Sequence, residues 1–181
     1  MSETIALFSR PFYFLRHGET ESNARKLVAG SLDTALTDRG HVQARAAAAL
    51  LAKEPITGVY SSPLRRARDT ALPIAAALNL PVVVIPELAE RTWGELEGQP
   101  RGSRIRGVTP AGAETTAAFT QRILSALAQI ESEVPLVVAH SGIFRVLCHA
   151  LDIVQIETPV SNALPLRLTP FTQGWKLEPL P

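Results

Sequence analysis

The sequence predicts an α/β fold, a three-layer sandwich with a mostly parallel central sheet flanked by helices. Two observations carry that expectation. Short apolar runs, "FYFL" at 12–15, "GVYSS" at 58–62, "PVVVI" at 81–85 and "PLVVA" at 135–139, alternate with longer segments of helical period. Most of these runs are apolar at consecutive positions and not at every second one, as strands covered on both faces are. The 181 residues, 46% of them hydrophobic, can bury one sizeable core. A single domain over 1–181 is expected, with its core at about 11–178.

Each element has a local cause. Pro11 and Gly18 bound the first strand. Thr37 is placed to cap a helix through "DRGHVQARAAAALLAKE", in which Val42, Ala46, Ala49 and Leu50 recur at helical spacing and should form its buried face. Pro63 suits the first turn of the helix "PLRRARDTALPIAAALN", and Pro73 should kink or split it. After a Gly-, Pro- and Arg-rich stretch at 94–112, Phe119, Ile123, Leu124, Leu127 and Ile130 mark a long amphipathic helix. "GIFRVLCHALD" should be the helix after the fourth strand. Residues 164–177 are expected to add a strand or two, and the proline-rich end to fray.

Composition excludes several classes of function. The formal net charge of +1 gives no field for nucleic acid or an anionic membrane. The apolar stretch at 71–89 is broken by three prolines and an asparagine, and the amino-terminal residues lack the pattern of a signal peptide. The one cysteine, Cys148, excludes an intramolecular disulfide and a multi-cysteine zinc site; a cytoplasmic setting fits it best. Of the four histidines, none pair at metal-binding spacing, so neither metal nor other cofactor is expected. His41 and His149 lie within helices and read as ordinary polar residues; Cys148 reads as inert packing. Composition sets no oligomeric state.

The polar residues of interest stand at the carboxyl ends of strands: Arg16 and His17 after the first, Ser61 and Ser62 after the second, His140 after the fourth. In open α/β sheets ligands bind along that edge. In chain order come "RHGETESN" at 16–23, "GSLDTALTDRGHVQA" at 30–44, "SSPLRRARDTA" at 61–71, "ELAERTWGELEG" at 87–98 and "VVAHSGIFRVL" at 137–147. Together they resemble the histidine phosphatase superfamily, also called phosphoglycerate mutase-like, over about nine-tenths of the chain.

The resemblance implies a metal-independent phosphomonoester hydrolase that acts through a phosphohistidine on small phosphorylated metabolites. His17 would be the nucleophile, its second ring nitrogen held by a backbone carbonyl. Arg16 and Arg66 match the phosphate-binding arginines, whose guanidinium groups are always protonated and rigidly forked. His140 matches the second histidine of the pocket, placed to donate to a phosphoryl oxygen, and Asn23 a further phosphate contact. The amide of Gly18 would approach the phosphate. Glu90, in "AERTWG", matches the carboxyl group that protonates the leaving alkoxide and then activates water. Small phosphohistidine phosphatases that share the RHG motif generally lack that carboxylate, so Glu90 points to ester substrates.

Two departures from the family pattern stand out. Ser141 follows His140 where glycine is usual, and Gly142 comes second; either the loop places its amides differently or Ser141 adds a hydroxyl contact. The cofactor-dependent mutases carry a longer insertion after the acid than the roughly twenty residues between Gly94 and the next helix here. A short cover favours hydrolysis, with a mutase-type phosphotransferase and a non-catalytic phospholigand-binding module as the alternatives. Arg101, Arg104 and Arg106 read either as solvated loop charges or as cations that reach over the site to a second anionic group on the substrate.

Overall fold

In the computed structural model, residues 5–105, 107–154 and 160–181 are described. Six strands form one sheet: β1 (Phe12–Arg16), β2 (Gly58–Ser61), β3 (Val82–Val84), β4 (Pro135–Ala139), β5 (Pro165–Phe171) and β6 (Gly174–Pro179). Their spatial order is β3-β2-β4-β1-β5-β6. The first four run parallel, and β5 and β6 form an antiparallel hairpin at one edge. Parallel neighbours require crossovers. These are α2 (Asp38–Leu51), α3 (Arg65–Leu78) and α4 (Thr116–Ala128); α1 (Glu21–Ala24) is a single turn after β1, and α5 (Ser141–Ala150) follows β4.

The central strands β1, β2 and β4 are buried on both faces, consecutive side chains leaving them in opposite directions. The edge strand β3 instead leaves Val83 and Val84 exposed, contrary to the expectation from its apolar run. Phe12, Phe14, Val137 and Ala139 pack with Phe119, Ile123 and Leu127 of α4 and Ile143 and Leu147 of α5. Tyr13, Leu15, Leu136 and Val138 pack with Ala47, Ala48 and Leu51 of α2 and Ala71, Ile74 and Ala75 of α3. These are the three layers expected from the apolar runs.

Three expectations about local structure need correction. Thr37 does cap α2, its hydroxyl accepting from Gly40 N, but the buried face is Gly40, Ala44, Ala47, Ala48 and Leu51. Val42 is 57% exposed. Mostly small residues face inward because α2 packs closely against α3 and the sheet, so Val42 did not mark the core. Secondly, α3 runs unbroken through Pro73. The missing N–H forfeits one helix bond, while buried Ala71, Ile74 and Ala75 on either side hold the helix to the sheet. Finally, the carboxyl-terminal end is fixed: Leu180 is buried and its N–H donates to Pro165 O at 2.9 Å.

Candidate active site

Strand register assembles the centre of the site. Arg16 pairs with Ala139 across β1 and β4, so His17 and His140, the next residue of each strand, emerge together. The bond from His17 N to Ala139 O (3.0 Å) extends the ladder, and the two rings lie 5.2 Å apart between centroids. Ser61 pairs with Val138, which brings Ser62 to the same rim. Its Oγ lies 2.6 Å from His140 Nε2.

His17 is held in one tautomer. Its Nδ1 lies 2.7 Å from the carbonyl oxygen of Gly18, which can only accept, so the proton resides on Nδ1 and the lone pair on Nε2. Burial, with Arg66 and then Arg16 adding positive charge, pushes the ring well below the ordinary histidine range. His140 is depressed likewise, first by burial and then by Arg66 and His17. Both imidazoles are therefore neutral at pH 7.

Arg16 and Arg66 are buried and braced from behind by backbone. Arg16 Nη1 donates to Val160 O (2.8 Å); Arg66 donates from Nη1 to Leu32 O (2.6 Å) and from Nη2 to Gly30 O (2.8 Å). Each guanidinium has five N–H groups, so most of its donors remain for another acceptor. Desolvation, then the Arg101 charge, lowers Arg16 to about 10, still protonated at neutral pH. Asn23 is fixed by the cap of α1: its Oδ1 accepts from Thr20 N (3.2 Å) and Asn162 Nδ2 (3.0 Å), which leaves its own amide nitrogen as the free donor.

Glu90 approaches from the segment between β3 and α4. One carboxylate oxygen accepts from Arg91 N (2.8 Å) and the other from Gly142 N (3.0 Å) in the first turn of α5. The Ser141–Gly142 order thus acquires a reason: a Cβ at position 142 would overlap the Glu90 carboxylate. A cavity of about 100 Å³ opens among Arg16, His17, Asn23, Arg66, Glu90 and Ser141, with Arg101, Arg104 and Arg145 completing its wall. A neighbouring cavity of about 250 Å³, between α4 and α5, shares Glu90, Trp93, Arg104, Ser141 and Arg145 with it.

Some expected contacts differ. The Gly18 amide is not free for a ligand, since it donates to Thr70 Oγ1 at 2.9 Å. Glycine is needed there for another reason: a Cβ would stand 2.6 Å from Gly40 O, where the start of α2 crosses the motif. His140 is fully buried and does not line the cavity. Arg101 spends its Nε on Leu27 O (3.1 Å). Arg106 lies outside the described residues. His41 and His149 are exposed, and burial raises the Cys148 thiol to about 11. Among the described residues, no three His, Cys, Asp or Glu side chains gather where they could hold a metal ion.

Sequence reasoning missed Thr70, Asn162, Trp93 and Arg145. For Arg145 a signal existed: it lies four residues after Ser141 on α5, hence on the same helix face.

A buried neutral imidazole beside two braced guanidinium groups, with a carboxylate across the cavity, is the apparatus of a phosphoryl-handling enzyme. The chain belongs to the histidine phosphatase superfamily (branch 1), whose family model matches residues 12–178. It is 33% identical to the glucosyl-3-phosphoglycerate phosphatase of Mycolicibacterium vanbaalenii, covering 84% of this chain and 77% of that one. Agropine synthesis reductase of Rhizobium rhizogenes is 32% identical over 92% of this chain, which spans only 41% of that protein's length. Among solved structures, the mycobacterial glucosyl-3-phosphoglycerate phosphatase in complex with VO3 superposes with a TM-score of 0.78 at 28% identity, over 94% of this chain and 98% of that one. The domain is that of a phosphomonoesterase acting on small phosphorylated metabolites. Among the described residues no helix is long and apolar enough to cross a membrane.

Proposed function

We propose that the protein hydrolyses phosphomonoesters without a metal, in two transfers through a phosphohistidine on His17. The observation that carries this is the 2.7 Å contact of His17 Nδ1 with the Gly18 carbonyl, which leaves Nε2 as the nucleophilic atom beside Arg16 and Arg66. In the first transfer the Nε2 lone pair forms a bond to phosphorus, and the P–O ester bond breaks with its electron pair on the leaving oxygen. Glu90, protonated, gives that oxygen its proton. In the second, ionised Glu90 takes a proton from water, the water oxygen bonds to phosphorus, and the P–N bond returns its pair to Nε2. Arg16, Arg66 and Asn23 hold the phosphoryl oxygens throughout; electrostatic stabilisation by groups already in place supplies most of the rate in such transfers. The cytoplasm, with its small phosphorylated metabolites, is the setting we assign, consistent with one buried, unpaired thiol at Cys148.

The test is to trap the intermediate. Mixed with a ³²P-labelled ester and quenched in alkali, the wild type should carry label that is stable to alkali and released by acid, and His17→Ala, folded by circular dichroism, should carry none. Label on serine, or activity abolished by a chelator and restored only by a divalent cation, overturns the mechanism.

A further inference from the structure

The 250 Å³ cavity beside Glu90 is lined by two unlike kinds of residue. Phe119 of α4 and Val146 of α5 give it apolar lining, while Arg104 and Arg145 line both this cavity and the phosphate cavity. Trp93, Arg104 and Arg145 also border a third opening on the outer side, so these three residues lie where all the spaces meet. Arg104 is not a loose loop charge. Its guanidinium stacks on Trp93 at 4.9 Å from the ring centroid, and the backbone of Trp93 is held by the bond from its main-chain N–H to the Glu97 carboxylate at 3.0 Å.

Charge around the site is unbalanced. Among the described residues, five guanidinium groups, Arg16, Arg66, Arg101, Arg104 and Arg145, line the phosphate cavity, and Glu90 is the one carboxylate lining it. A phosphoryl dianion matches two of those five, and Glu90, once ionised, a third. No ion pair among the described residues involves Arg104 or Arg145. Like charges gathered without counter-charge repel, and burial together with Arg145 and Arg101 lowers Arg104 below the ordinary guanidinium range.

We propose that the cavity beside Glu90 is a leaving-group subsite in which Arg104 and Arg145 bind a second anionic group, a carboxylate or a phosphate, on the alcohol half of the substrate. The inference rests on the hydrolase reading above. Glu90 stands at the junction, so an ester oxygen within its reach directs the alcohol into this space. At about 30 Å³ per water the cavity has room for about eight water-sized groups, and Phe119 and Val146 offer it apolar lining. The substrate class is therefore a phosphate ester bearing a second anion, in preference to one whose alcohol half is uncharged.

Two matched pairs of probes test it. 3-Phosphoglycerate differs from glycerol 3-phosphate by a carboxylate in place of a hydroxymethyl group; propane-1,3-diol bisphosphate differs from the monophosphate by a second phosphate. The wild type should favour the member with the anionic tail in at least one pair by tenfold or more in kcat/KM, and which pair responds identifies the anion. The double variant Arg104→Gln/Arg145→Gln should reduce that preference at least tenfold, with the change in KM, and the Lys/Lys variant should retain part of it. Because Arg145 is exposed, Arg145→Gln alone keeps the test open should the double variant not fold. Calorimetry of the same ligands on His17→Ala reads the preference without turnover: a preserved preference with no hydrolysis by the wild type refutes the hydrolase reading and upholds the subsite. No preference in either pair, or equal losses for both members, overturns the subsite.

Discussion

Replacing Gly142 by alanine should displace Glu90 and so test its role as the acid. A methyl group at this position would overlap the nearer carboxylate oxygen of Glu90 and lie 3.0 Å from its Cδ. The carboxylate cannot yield without losing the bonds from Arg91 N (2.8 Å) and Gly142 N (3.0 Å) that aim it. Hydrogen bonds to a charged group contribute about 1.5–3 kcal/mol each, and a misplacement near 1 Å can cost about 10²-fold in rate. A fall of roughly 10- to 100-fold in kcat on an alkyl phosphate is therefore expected, short of the 10²–10⁴ that general acid–base catalysis supplies in full. Helix propensity pulls the other way: Gly142 lies in the first turn of α5, and alanine in a helix interior is favoured by up to about 1 kcal/mol. Losing even one such bond outweighs that gain, so the melting temperature should fall by a few degrees in a domain of this size. Paired assays on glycerol 3-phosphate and nitrophenyl phosphate decide the cause, because a phenolate leaves without protonation. Equal losses on the two esters would mean that the phosphate cavity, not the acid, had moved; no loss on either would remove Glu90 from the mechanism.

Other perturbations follow from the same geometry. Glu90→Gln should reduce alkyl phosphate turnover by about 10²–10⁴ and aryl phosphate turnover much less in a single-turnover burst; an equal loss for both, with phosphoryl transfer limiting, refutes its role as acid. His17 and His140 titrate in the folded protein well below the ordinary value of 6.5. The unfolded chain thus takes up protons first as pH falls, so their contribution is complete above pH 6.5 and is lost progressively below it, by up to about 1.4 kcal/mol per histidine per pH unit. Urea denaturation at pH 7.5 and 5.5 should show this loss, and a His17→Gln/His140→Gln variant should show less of it; an unchanged slope refutes the assignment. Thr70→Val removes the acceptor of the Gly18 N–H and the donor to Arg66 O (2.7 Å), so unfolding free energy should fall by about 1–3 kcal/mol and kcat should fall with it; retention of both would mean that the RHG turn is held without Thr70.

The legible part of the protein is the part that periodicity and strand ends control. Four apolar runs gave four parallel strands, and Arg16, His17, Ser62 and His140 could be placed on one rim because each directly ends or follows such a run. Legibility failed where packing overrides local preference. Apart from Leu51, the buried face of α2 consists of glycine and alanine, which carry almost no hydrophobic signal, whereas exposed Val42 carries a strong one. Pro73 is tolerated because tertiary contacts on both sides outweigh one missing bond. The role of Thr70 was hidden for a different reason: it meets Gly18 across 52 positions of sequence, and nothing local to either residue records the contact.

The two halves of the site are held by different physics. The phosphoryl half is built on adjacent parallel strands, where backbone register alone sets His17 beside His140, and a slip by one residue would turn every side chain to the opposite face. The leaving-group half hangs on the segment between β3 and α4, which has no such ladder. Arg122 of α4 holds it: its guanidinium grips Glu114 with two bonds of 2.9 and 2.7 Å and donates to Glu87 O and to Ala89 O, the residue before Glu90. Arg91 Nε closes the loop on Glu114 O at 2.8 Å, and Glu97 fastens the far side by accepting from Ser31 and Trp93. Side-chain clamps of this kind can be changed one residue at a time without disturbing the sheet, whereas the strand ends cannot. Specificity is therefore the adjustable property of this fold, and phosphoryl transfer the fixed one.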